Sequence, residues 1–294
     1  MKFFIGVLAI AAAGAAGMAA QSPSEPAARV SLVTLPDGVT LEYVERGDKA
    51  GLPIVFLHGI TDSWRSFERV LPELPRSVRA IAISQRGHGN SSRPDTGYKF
   101  KNFADDVHAF LDAMDIPSAV IVGHSMGGLV AQQFAIDHPG RTMAVVIMGS
   151  SPAMGRNEVV RGLVQEVSAM ADPIDPTFVR EFQESTLARP VPPGFMTMVV
   201  GESLKVPARV WRAAFEETLV ANFTPKLGNI SAPTLIMWGD KDSVVLKTDV
   251  DILQRGIPHS RLIVYNGAGH AFHWEAPSEF AGDLMTFVGG LPRR

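Results

Sequence analysis

The chain reads as an α/β protein: a mostly parallel central sheet with helices on both faces and a helical cap inserted late in the sheet. Three observations predict this. Continuous apolar runs of strand length at residues 54–57, 80–84, 119–122, 144–148, 234–238 and 262–264 have the composition of strands buried on both faces. Helical apolar spacing separates them, notably over 103–114 and 129–137, which is the alternation of a sheet wrapped by helices. Between Met148 and Thr234 no strong strand signal occurs.

Taken in order, Met1-Lys2 is a short positive start, residues 3–16 are apolar, and Gly17-Met18-Ala19-Ala20 supplies small residues before a polar stretch. Residues 1–20 therefore read as a secretory signal cleaved after Ala19 or Ala20, and residues 21–29 as a flexible segment. An uncleaved anchor is the competing reading, but the alanine and glycine content makes the stretch weakly hydrophobic. The expected location is periplasmic or extracellular, with no stable membrane insertion after cleavage. The chain has no cysteine, so an exported form stands without disulfides. Residues 30–35 and 39–44, joined by Pro36-Asp37-Gly38, read as an opening hairpin. A first core part spans 30–150, the cap 151–228 and a second core part 229–294. Helical spacing in the cap falls at 159–170, 178–187, 195–204 and 210–221, with prolines between. Most apolar residues there pack the cap against the sheet; Phe178, Phe182, Phe195, Met196, Met198, Trp211 and Phe215 are the candidates for lining an apolar pocket. A net charge of −3 with no basic stripe excludes nucleic acid as a partner and leaves a small-molecule substrate.

Gly123-His124-Ser125-Met126-Gly127 follows the run at 119–122 and opens the helical stretch that ends near Asp137. A strand, a very tight turn carrying a serine, and a helix make a nucleophile elbow. Such a turn holds the serine in a left-handed conformation, and the flanking glycines supply the room. It also aims the backbone N–H of Met126 at a forming oxyanion. A nucleophilic serine needs a base. His270 lies in a glycine-rich loop after the run at 262–264, beyond the carboxyl end of a strand, where sites gather in parallel sheets. His259 precedes that strand and sits at its wrong end. His273 reads as a packed or solvent-facing ring, His124 as packing beside the elbow, and Arg86 and His88 as turn residues. His270, His273 and Glu275 match no metal-site spacing, so no metal and no cofactor is expected. The orienting acid belongs in Gly239-Asp240-Lys241-Asp242, after the run at 234–238, and both aspartates compete for it.

The chain resembles the α/β-hydrolase fold superfamily, in particular its lipase/esterase and haloperoxidase-like branch. The resemblance rests on His58-Gly59, Arg86-Gly87-His88-Gly89-Asn90-Ser91, the elbow, Gly239-Asp240-Lys241-Asp242, and Gly269-His270 with Glu275-Ala276-Pro277. It implies Ser125, Asp242 and His270 as the catalytic triad, with backbone N–H groups of Ile60 and Met126 as the oxyanion hole. One departure stands out: the family usually carries an aspartate where Ser84 stands, and that residue braces the Arg86 loop. Haloalkane dehalogenases and epoxide hydrolases of this fold place an aspartate where this chain has Ser125. A serine there implies acyl transfer, and the expectation is an exported hydrolase that cleaves a small or medium apolar carboxylic ester. The same triad could serve lactone opening, carbon–carbon bond hydrolysis or peracid formation; a non-catalytic receptor is the third reading.

Overall fold

The computed structural model describes residues 29–292; the signal segment, 1–20, and all but the last residue of 21–29 lie outside them. The strands are β1 (Val30–Thr34), β2 (Thr40–Gly47), β3 (Leu52–Leu57), β4 (Val78–Ser84), β5 (Ala119–His124), β6 (Thr142–Met148), β7 (Thr234–Gly239) and β8 (Ser260–Tyr265). They form one sheet in the order β1-β2-β4-β3-β5-β6-β7-β8. The opening hairpin pairs antiparallel, β2 pairs antiparallel with β4, and every pair from β4 to β8 is parallel. The central strands are apolar along their length because both faces are covered: β5 is buried at every residue. β8 lies at the sheet edge and is only partly buried.

The helices are α1 (Phe100–Ala113), α2 (Met126–Asp137), α3 (Glu158–Ser168), α4 (Pro176–Glu184), α5 (Pro193–Leu204), α6 (Ala208–Val220), α7 (Lys247–Gly256), α8 (Phe272–Glu275) and α9 (Pro277–Gly289). Among the described residues, the two largest of three apolar clusters form the core. One joins Val55, Leu57 and Ile121 to Phe103, Phe110 and Phe134 of α1 and α2 and continues into the insertion. The other joins Phe56, Val120 and Val146 to Phe67 and to Phe280 and Leu284 of α9. Alternation along each strand sends neighbouring residues to opposite cores. Truncating one of these buried phenylalanines should cost about 3–5 kcal/mol.

Four helices, α3 to α6, fill the insertion between β6 and β7. Its prolines start helices rather than break them. Pro176 and Pro193 occupy first helical positions, where a missing N–H costs nothing. Asn157 and Asp175 cap α3 and α4 by accepting from Val159 N and Thr177 N.

Candidate active site

Ser125 sits between β5 and α2 with φ 51° and ψ −114°. Its N–H donates to Met148 O at 2.9 Å, and its carbonyl accepts from Gly128 N at 2.9 Å. Close backbone approach explains the glycines. A Cβ on Gly123 would stand 2.1 Å from Gly127 O, and one on Gly127 would stand 2.2 Å from Leu57 O. Met126 is the first residue of α2, so its N–H has no partner within the helix.

The histidine loop follows β8, and the acid loop follows β7. His270 Nδ1 lies 2.8 Å from Asp242 Oδ2, and both side chains are almost fully buried. Asp242 Oδ1 accepts from Val244 N at 2.8 Å and Val245 N at 2.9 Å, so the carboxylate is held from both oxygens. Asp240 turns elsewhere and accepts from Gly267 N, bracing the base of the histidine loop. The structure thus brings Asp242, not Asp240, to the imidazole. With Nδ1 engaged, His270 keeps Nε2 for a proton from a nucleophile.

Ser125, His270, Ile60 and Met126 all line one cavity of about 220 Å³, smaller than the ~300–1,000 Å³ typical of drug-sized ligand sites. Apolar side chains dominate its walls, with Val160 and Leu163 reaching in beside Phe182 and Phe215 from the inserted helices and Met154 from the turn before them. Of the seven cap residues proposed from sequence, Phe182 and Phe215 reach this cavity. Trp211 stacks on Phe215 at 6.1 Å between ring centroids, and Phe195 packs edge-on to Trp274 at 5.7 Å.

Four other histidines, all buried, pack around the site. His58 accepts from Gln85 N at 2.9 Å through Nε2, while Nδ1 lies 2.7 Å from Gly59 O. Burial holds its pKa well below the ordinary value, and His88 adds to this. Burial likewise lowers His88 to about 4, and lowers His124 and His273, each with a neighbouring histidine as a second cause for the last two. His124 Nε2 lies 3.1 Å from His270 O, steadying the His270 loop from behind. His273 Nε2 lies 3.1 Å from Ser66 Oγ. Glu275 accepts instead from the amides of Ala188, Arg189 and Gly269, so the pair that could have suggested a metal site diverges.

Ser84 shows how the family's missing aspartate is replaced. Ser84 Oγ donates to Glu42 Oε2 at 2.8 Å, and the same carboxylate oxygen accepts from Asn90 N at 3.1 Å. The bracing charge comes from β2, across the sheet. Arg86 is held by Asp106, with Nε donating to Oδ2 at 2.6 Å.

Two side chains at the site carried no sequence signal. Asp62 lines the cavity at 4 % exposure, and burial pushes its carboxyl up to about 7 against the hydrogen bond from Gln183 and the nearby His270. Gln183, on α4, is 2 % exposed and lines the same cavity. Between Ile60 and Asp62, Thr61 adopts φ 69°, a conformation that costs a β-branched residue on the order of 1–3 kcal/mol.

The sequence model of the alpha/beta hydrolase family matches residues 54–284. The chain belongs to the alpha/beta hydrolase family. It is 31% identical to a non-heme chloroperoxidase of Streptomyces lividans, covering 87% of this chain and 98% of that one. It is 25% identical to a 2-(acetamidomethylene)succinate hydrolase of Mesorhizobium japonicum, over 85% of this chain and 92% of that one. Among solved structures, an esterase from Rhodococcus sp. ECU1013 superposes with a TM-score of 0.80 at 29% identity, covering 90% of this chain and 99% of that one. This alpha/beta hydrolase thus keeps the fold of its relatives over almost its full length.

Proposed function

We propose that the protein is an exported serine hydrolase that cleaves a small apolar carboxylic ester through an acyl-enzyme. The observation that carries this reading is the serine with φ 51° on the wall of an apolar cavity that also holds an imidazole bonded to a buried carboxylate. His270 takes the proton of Ser125, the hydroxyl oxygen attacks the ester carbonyl, and the oxyanion accepts from the N–H groups of Ile60 and Met126. His270 then protonates the leaving alcohol. Water, deprotonated by His270, attacks the acyl group, and His270 returns that proton to the departing Ser125 oxygen, which releases the acid and restores the serine while Asp242 holds the imidazole tautomer. The apolar wall suits an uncharged acyl group, and the likeness to an esterase supports the ester bond. Export rests on the residues 1–20 alone.

A nitrophenyl ester series of increasing acyl length tests the reading. Turnover should favour short chains, and Ser125→Ala should remove about 10⁴-fold or more of kcat. No turnover of any ester by the wild type would overturn it. The likeness to a chloroperoxidase favours one second reading: hydrogen peroxide in place of water would take the acyl group from Ser125 and leave as a peracid. Peracid formed from acetate and peroxide by the wild type, and not by Ser125→Ala, would establish it.

A further inference from the structure

The inserted helices do more than roof the cavity. Gln183 Nε2 lies 3.0 Å from Asp62 Oδ1, 3.2 Å from Thr61 Oγ1 and 2.9 Å from Ser203 Oγ. Ser203 is on α5 and is itself anchored, donating to Val199 O at 3.1 Å. One cap amide therefore bridges a second cap helix to the two residues that follow Ile60. A carboxylate oxygen and two hydroxyls are the acceptors, which fixes the NH₂ end of Gln183 toward them. Thr61 Oγ1 also lies 3.4 Å from Ser203 Oγ. Within the loop, Asp62 N donates to Gly59 O at 3.3 Å, so shifting Asp62 shifts the turn that carries Ile60.

The same stretch of chain reaches the opposite side of the site. Ala271 N, next to His270, donates to Thr186 O at 3.1 Å. Ala188 N donates to Glu275 Oε1 at 2.7 Å, and Arg189 Nε donates to Gly267 O at 3.0 Å. Residues 183–189 thus tie down both the loop of Ile60 and the loop of His270. The histidine loop has further support from Asp242, Asp240 and His124. The loop of Ile60 must instead hold Thr61 at a positive φ, and a strained backbone persists only where its surroundings over-determine it.

We propose that Gln183 is a positioning residue for the oxyanion hole: through Thr61 and Asp62 it holds the backbone N–H of Ile60 where the oxyanion forms. The inference rests on the serine-hydrolase reading above. Losing the bond lets the donor drift, and a displacement near 1 Å costs about 10²-fold in rate.

The test compares wild type, Gln183→Met, Ser125→Ala and Asp62→Leu, together with the Gln183→Met/Asp62→Leu double variant. Methionine keeps the length of glutamine without its donor. Two readouts are independent of the natural substrate: the rate constant for fluorophosphonate labelling of Ser125, and the inhibition constant of an aryl trifluoromethyl ketone, whose adduct carries an oxyanion. Gln183→Met should slow labelling about 10- to 100-fold and weaken the ketone by a similar factor. KM for a nitrophenyl ester should change less than threefold, roughly, since ground-state binding does not use the oxyanion donors. The double variant should be no worse than the worse single variant, because both substitutions break the same small hydrogen-bond cluster.

Equal labelling rates and ketone affinities in wild type and Gln183→Met overturn the inference and leave the serine mechanism standing. So do losses that multiply in the double variant. Absence of any fluorophosphonate adduct at Ser125 in the wild type overturns the underlying reading instead. Should Gln183→Met fail to fold by thermal unfolding, Gln183→Leu and Asp62→Leu supply the same two readouts.

Discussion

The two halves of the site are built by different means. On the sheet side, Ser125 and Met126 are placed by backbone: glycines that no side chain could replace, a strand above and a helix below. On the cap side, Thr61 and Asp62 share the side-chain amide of one glutamine reaching across from an insertion, with longer contacts from Ser203 and Ser66. Backbone constraint is local and tolerates little. Side-chain constraint is remote, and its strength depends on burial and on the protonation of its partners.

The largest effect should come from Asp242→Asn, which breaks the side where support is densest. The amide can still accept from Val244 and Val245, but it stabilises the wrong imidazole tautomer and no developing imidazolium. We expect kcat to fall about 10⁴-fold with KM little changed, measured with short nitrophenyl esters. A loss under tenfold would mean that the histidine is not working as the base.

The next effect sharpens the contrast on the cap side through pH. Asp62 is about 7 in the fold against an ordinary 3.8, so its contribution to stability is complete below about pH 4 and is lost as pH rises through 7. The groups facing it are Gln183, Ser66, His270 and Glu202. The wild type should lose about 4 kcal/mol between pH 4 and pH 8 relative to Asp62→Asn, read by urea unfolding across pH. The buried His58, His88, His124 and His273 act in the other direction: their lowered values stabilise above about pH 6.5, and that contribution is lost as pH falls toward 4 and below. Parallel stability profiles for wild type and Asp62→Asn would show that Asp62 stays ionised in the fold.

Smaller again, Gly127→Ala should cost about 3 kcal/mol or more, because its Cβ would stand 2.2 Å from Leu57 O and 2.6 Å from Leu57 C, both backbone atoms that cannot swing aside. An alanine variant with wild-type thermal stability would refute the close-approach account of the elbow.

This division explains what could be read from the sequence. The strands were legible because burial on both faces removes polar residues from them, although β3, β4, β6 and β8 each begin two residues earlier than their apolar cores suggest. The helices of the insertion were legible from spacing, and they too begin one or two residues early, at Glu158, Pro176, Pro193 and Ala208, where caps and prolines rather than apolar residues set the start. Ser125, Asp242 and His270 lie at strand ends, where glycine-rich turns mark them. Gln183 and Asp62 are 121 positions apart in the chain, and neither stands in a pattern that local spacing could reveal. Most of the seven cap residues at apolar spacing pack other cap residues, since helical spacing reports burial and not which cavity a side chain faces.

Ser84 provides the finest test, because there a remote side chain has taken over a local role. Restoring the aspartate that the family usually carries should not stabilise this chain. Ser84 Oγ lies 2.8 Å from Glu42 Oε2, and a Cβ on Gly89 would stand 2.5 Å from Ser84 Oγ, so the space is already filled and already charged. Ser84→Asp would bring a second carboxylate against Glu42, which is 2 % exposed. It would also remove the acceptor of Trp64 N unless the new oxygen replaced it. We expect a loss of about 1–2 kcal/mol from Ser84→Asp alone. Ser84→Asp with Glu42→Gln should recover most of that loss, because the charge then moves from β2 to the position it usually occupies while Asn90 keeps an acceptor. Thermal unfolding of the two single variants and the double variant reads the coupling directly. Strict additivity would mean that Glu42 and Ser84 do not share the bracing role, and that the Arg86 loop is held by Asp106 without them.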